Sequence, residues 1–168
     1  MMSHVSIASP IFQEGMVFVS AYWAGSKAIR PVAAGEEAGL VYEENRNLRG
    51  LMSQPLYREG HAYLLEKQYG LTCFEFKTGK KIWDDNNKMT PRGRNPQASL
   101  VWLGKSERAI ILNSDGELIL ARLNPRGYHE TSRTKILGET WAHPAYSGRH
   151  VFARSDTELV CYELPTAE

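Results

Sequence analysis

Gln54-Pro55-Leu56-Tyr57-Arg58-Glu59-Gly60, then Ala62-Tyr63-Leu64-Leu65, then Gly70-Leu71-Thr72-Cys73-Phe74-Glu75 and Thr78-Gly79-Lys80-Lys81-Ile82-Trp83, is the stretch from which the fold is read. Short apolar runs rich in β-branched and aromatic residues are separated by glycine-bearing turns, which is the pattern of strands joined by hairpins. Its opening recurs along the chain. Ser9-Pro10-Ile11-Phe12 precedes Gly15 and Met16-Val17-Phe18-Val19; Ala98-Ser99-Leu100-Val101 precedes Gly104 and Ala109-Ile110-Ile111-Leu112; His143-Pro144-Ala145-Tyr146 precedes Gly148 and Val151-Phe152-Ala153.

The anchors Pro10, Pro55, Ser99 and Pro144 stand 45, 44 and 45 residues apart. A second landmark agrees: Cys73 and Cys161, in Leu71-Thr72-Cys73-Phe74 and Leu159-Val160-Cys161-Tyr162, are separated by 88 residues, two periods, with Leu118-Ile119-Leu120-Ala121 between them. A period of 40–50 residues built from four short strands is the size of a propeller blade. Asn113-Ser114-Asp115-Gly116 and Lys77-Thr78-Gly79-Lys80 read as hairpin turns, and no segment carries a sustained helical period. The expectation is an all-β chain, a β-propeller segment of about four blades of four-stranded antiparallel sheet. It is one unit over 1–168, with repeats at about 8–45, 51–88, 96–137 and 140–165.

Pro-Leu-Tyr-x-x-Gly followed by Gly-Leu-x-Cys-Phe-x-x-x-Thr-Gly-x-x-x-Trp, Pro55 to Trp83, resembles the PQQ-like repeat of quinoprotein-like β-propellers. That family includes quinone-dependent alcohol dehydrogenases and the lipoprotein scaffold of outer-membrane protein assembly. In the first unit Ala33-Ala34-Gly35-Glu36-Glu37 replaces the turn, and Tyr42 stands near the tryptophan position. The last unit reaches Leu164-Pro165 without an equivalent of the Trp83 strand. The resemblance implies rings of seven or eight blades, so three arrangements are open: the C-terminal part of a longer propeller, which is the first expectation, two copies closing an eight-bladed ring, or a four-bladed or open form.

Composition narrows the partners. With 20 Lys and Arg against 19 Asp and Glu the formal charge is +1, which gives no electrostatic reason to expect nucleic acid. No run of about 20 apolar residues suits a membrane span. Met1-Met2-Ser3-His4-Val5-Ser6 lacks the basic and apolar regions of a signal peptide, whereas the family resemblance implies a periplasmic or cell-surface location. The two cysteines, at equivalent positions two blades apart, are too distant for a disulfide and are expected to be buried free thiols.

The resemblance also implies where ligands meet the blades: at the segments entering each innermost strand and at the turns from second to third strand. The candidates there are Trp23, Arg49, Lys67, Gln68, Arg94, Asn95, Asp115, Trp141, His143, Arg154 and Asp156. Arg49 and Arg94 suit a carboxylate or phosphate, and Trp23 or Trp141 offers a flat stacking surface. The competing reading is that these residues cap loops and knit blades together. Trp83 is expected to dock one blade on the next.

The quinone enzymes carry an adjacent cysteine pair and acidic calcium ligands; here there is no Cys-Cys, and Asp84-Asp85 follows an outer strand. His4, His61, His129, His143 and His150 show no metal-ligand spacing. Gly104-Lys105-Ser106 lacks the upstream glycine of a phosphate loop. The functional expectation is therefore a non-catalytic binding scaffold, without cofactor, for a protein or an extended peptide or polysaccharide, with a homodimer completing the ring as a further option. The alternative is a PQQ-dependent dehydrogenase whose quinone and calcium ligands lie in other blades.

Overall fold

The computed structural model describes residues 6–44 and 46–165; His4 and the start of the chain lie outside them. Among the described residues, fifteen strands form four separate antiparallel sheets, and the regular structure is all strand. Blade 1 comprises β1 (Ile11–Gln13), β2 (Met16–Ala21), β3 (Gly25–Arg30) and β4 (Gly39–Glu44). Blade 2 comprises β5 (Leu56–Arg58), β6 (His61–Glu66), β7 (Gly70–Glu75) and β8 (Lys81–Asp84). Blade 3 comprises β9 (Ala98–Trp102), β10 (Arg108–Asn113), β11 (Glu117–Asn124) and β12 (Gly127–Lys135). Blade 4 has three strands, β13 (Ala145–Ser147), β14 (His150–Arg154) and β15 (Leu159–Glu163).

Each sheet runs in sequence order, because two-residue or slightly longer turns join neighbouring strands. Glu59-Gly60 lies between Arg58 and His61, with φ of 47° and 79°. Positive φ at both central residues gives a twist that matches the flanking strands. Glu14-Gly15 repeats this in blade 1, with φ of 52° and 73°.

Blades stack through three apolar seams. Between blades 1 and 2 lie Met16, Phe18 and Leu48 against Ala62, Leu64, Phe74 and Phe76; the Phe18 and Phe74 rings are 5.2 Å apart. Between blades 2 and 3, Tyr63, Leu65, Leu71, Cys73 and Met89 meet Leu100, Ala109, Ile111 and Ile119. Between blades 3 and 4, Ile110, Leu112 and Leu118 meet Val151 and Ala153. Each fully buried large side chain contributes about 1.5–3 kcal/mol.

The repeat aromatics pin the seams with polar tips. Trp83 Nε1 donates to the Asn124 carbonyl at 2.9 Å in the next blade, which confirms its docking role. Tyr42 occupies the same place in blade 1, paired with Ala28 as Trp83 is paired with Cys73, and its hydroxyl donates to the Phe76 carbonyl at 3.0 Å. Gly79 of the Thr-Gly turn is needed for this docking: a Cβ there would stand 2.6 Å from the Tyr42 ring, and its φ is 71°.

The register sorts every blade into a face toward the next blade and a face toward the previous one. In blade 2 the row Leu56–Tyr63–Cys73–Trp83 faces blade 3, and Tyr57–Ala62–Phe74 faces blade 1. The equivalent forward row of blade 4 is Ala145–Phe152–Cys161, and the equivalent backward row of blade 1 is Phe12–Val17–Ile29–Leu40. No described blade covers either row. One expectation is thereby corrected: Cys73 is buried as foreseen, but Cys161 is exposed, because blade 4 has no neighbour on its forward face. Both thiols are free.

Candidate ligand-binding face

The turn from β2 to β3 presents Tyr22 and Trp23. Tyr22 is buried and meets Trp23 edge-on, ring centroids 4.7 Å apart, while Trp23 remains 54% exposed. From the next blade, the turn after β6 sends Lys67 Nζ to 3.6 Å from the Trp23 ring centroid and 4.1 Å from that of Tyr22. Tyr22, Trp23 and Leu51, with Arg94 and Asn95 from the segment entering β9, line a cleft of about 310 Å³. The Tyr22 hydroxyl donates to the Arg94 carbonyl and so fixes the entry segment over the hairpin.

A residue not singled out in the sequence builds this corner. Glu66 ends β6 fully buried, its carboxylate accepting the Gln68 N–H at 2.6 Å, the Tyr69 N–H at 2.8 Å and Arg49 Nε at 3.0 Å. Arg49 also donates to Gln68 Oε1 at 2.8 Å. Arg49 and Gln68 are therefore committed to holding the turn that carries Lys67. The same position is filled by other turn-capping residues in later blades. Asn113 Oδ1 accepts the N–H groups of Asp115 and Glu117, and Ser155 Oγ those of Thr157 and Glu158. Blade 1 has Ala21 there. The available signal was one structural position holding a short-range acceptor in three units.

Charge at this corner is predominantly positive. Arg49 pairs with the Glu66 carboxylate, whose oxygens already accept three donors, and Lys67, Arg92 and Arg94 stand on the adjoining segments. Lys67 is held below the usual lysine range, by desolvation first and by the Arg49 charge second, with Glu66 opposing. Arg92 is tied to the Gln68 carbonyl at 3.2 Å. A cation over an indole face is stabilised by the ring quadrupole, so Lys67 and Trp23 act as one unit.

The remaining candidates do not join this cleft. Asp115 is half-buried, its N–H bonded to Asn113 Oδ1 and its carbonyl to the Lys135 ammonium. Trp141, His143, Arg154 and Asp156 are exposed around blade 4, where the Arg154 carbonyl accepts the Thr140 hydroxyl at 2.6 Å. Asp85 is a structural carboxylate, accepting the N–H groups of Leu71, Asn87 and Met89 at 2.8, 3.0 and 2.7 Å; Asp84 pairs with Lys81. Among the described residues, no three His, Cys, Asp or Glu side chains gather as metal ligands, and no helix is long and apolar enough to cross a membrane.

No protein-family model matches the chain, and no curated protein matches it. Solved structures do. BamB from Moraxella catarrhalis superposes over 92% of this chain and 41% of its own, with a TM-score of 0.65 at 15% identity. The computationally designed Ika4 protein matches over 98% of this chain and 99% of its own, with a TM-score of 0.60 at 9% identity. The chain spans about 41% of the length of the BamB chain it matches. At these identities the likeness is one of fold, and the chain folds as a four-blade arc of a BamB-like β-propeller.

Proposed function

We propose that this chain is a non-catalytic binding scaffold, one arc of a larger propeller ring, that holds an extended acidic segment of a protein partner on the corner between blades 1 and 2. The observation that carries this reading is the meeting of Trp23 and Arg94, from separate segments, in one cleft, with Lys67 of the next blade stacked over the Trp23 ring. A carboxylate gains a charge-assisted hydrogen bond from Arg94, and an apolar or aromatic neighbour gains the exposed indole surface. An exported location accompanies the reading, through the repeat's resemblance to envelope propellers.

The test is a tryptophan-fluorescence titration with two synthetic peptides of equal length, one alternating Glu with Phe and the other Lys with Phe. Only the acidic peptide is expected to bind. Arg94→Ala and Lys67→Ala are each expected to weaken it about tenfold or more, the equivalent of a charged hydrogen bond. Trp23→Phe is expected to remove most of the signal. Equal binding of both peptides, or unchanged affinity in the Arg94 variant, contradicts the reading. Arg49 is a poorer probe, because removing it strips the buried Glu66 of its counter-charge.

A further inference from the structure

We propose that the two outward faces of this arc, the backward face of blade 1 and the forward face of blade 4, pack against each other between two copies of the chain, which close head to tail into a ring of eight blades. On the backward face of blade 1, Phe12 is 63% and Leu40 58% exposed, joined by half-buried Val17 and Ile29 in one continuous cross-strand row. On the forward face of blade 4, Phe152 is 42% exposed and Leu159 77%, beside Ala145 and Cys161. Contiguous apolar rows of this kind mark interaction surfaces.

The chain itself shows what such rows pack against. The forward row of blade 2 meets the backward side of blade 3, and the backward row of blade 2 meets the forward side of blade 1. Phe152 and Cys161 sit where blade 2 has Tyr63 and Cys73; Val17 and Ile29 sit where it has Ala62 and Phe74. The two exposed faces are thus the two halves of one kind of seam. A single chain carries both, so a second copy presents the complement of each.

Area separates a closed pair from an open chain of copies. The three strands of blade 4 have three, five and five residues; at about 10, 17 and 17 Å long and about 4.8 Å apart they give an overlap of about 210 Å² per face. One seam then removes about 420 Å² of surface, less than half of the roughly 1,000 Å² a specific interface requires, whereas two seams formed together remove about 840 Å² and approach it. Head-to-tail contacts are stable here when the rotation closes. The end-to-end match to Ika4 shows the same four-blade arc as the fold of a whole chain of similar length.

The experiment is light scattering after size exclusion on the 168-residue chain, across a hundredfold range of concentration. The expected mass plateaus at twice 19.0 kDa. Leu159→Glu, on the forward face, and Leu40→Glu, on the backward face, are each expected to give a monomer whose urea transition shows it still folded. Both positions are exposed within one chain, so the substitutions disturb no internal seam. A dimer that survives either substitution overturns the head-to-tail contact in favour of like faces pairing. A mass that climbs without a plateau overturns closure. A folded wild-type monomer at every concentration overturns the second copy as occupant and assigns both faces to other blades or another partner.

Discussion

Blades 2 and 4 repeat the same strand pattern, with a cysteine at the same place in each, and live in different surroundings. Blade 2 has neighbours on both sides: Ala62 to Glu66 of β6 and Gly70 to Phe74 of β7 are buried without interruption. Blade 4 has one neighbour, and β14 alternates exposed and buried from residue to residue. Tyr63 and Phe152 are repeat-equivalent, yet Tyr63 is 2% and Phe152 42% exposed. Cys73 and Cys161 divide in the same way. Burial in this fold is therefore a property of position along the arc, since a blade's own sequence supplies an apolar face and only a neighbour removes it from water.

The widest expected gap is in stability. In protein dilute enough to be monomeric, Tyr63→Ala is expected to cost about 3–5 kcal/mol and Phe152→Ala less than about 1 kcal/mol, read from urea unfolding midpoints. Similar losses at the two sites would break the comparison. Next is Asp85, the shared acceptor of three backbone donors between blade 2 and its exit loop, of which Asn87 has a second, longer bond to the Tyr69 carbonyl at 3.3 Å; Asp85→Ala is expected to cost about 2 kcal/mol or more by the same measurement.

Burial pushes the Asp85 carboxyl above its ordinary 3.8, against the pull of its three N–H donors. The folded chain therefore holds this proton to higher pH than the unfolded chain. Stability from this group is greatest below 3.8 and falls as pH rises through the raised folded value. Asp85→Asn is expected to flatten that part of the pH profile. The smallest effects concern the seam tips. Trp83→Phe loses its bond to Asn124 and is expected to cost about 1 kcal/mol. Among the described residues Tyr146 Oη, in the seam between blades 3 and 4, is the buried side-chain polar atom that lacks a partner. Tyr146→Phe is accordingly expected to stabilise by about 1 kcal/mol.

The architecture was legible in the sequence because each blade repeats its turn glycine and its apolar strands at a fixed spacing; Gly15, Gly60, Gly104 and Gly148 all take positive φ at the first turn of their blades. Tyr42 at the tryptophan position followed from the same alignment, and the docking of Trp83 from the resemblance to the PQQ-like repeat. Exposure of Cys161 was not legible, since the repeat states which face a residue occupies and not whether a neighbour covers it.

The proposed binding corner was legible in part. Trp23, Arg94 and Asn95 were identified by their place in the blade and meet in one cleft. Arg49 and Gln68 were identified by the same rule, yet they are engaged by Glu66. The role of Glu66 is set by a buried acceptor meeting two turn N–H groups, and a glutamate at a strand end carries no such mark in sequence.

The most direct test of the positional principle needs no mutation. Burial pushes the Cys73 thiol up to about 12, and alkylation requires the exposed thiolate. In native protein diluted to the monomer, iodoacetamide followed by peptide mass spectrometry is expected to modify Cys161 and leave Cys73 intact, with both modified in urea. Equal labelling of the two cysteines in the folded chain would contradict the claim that equivalent positions differ only by the blade beside them.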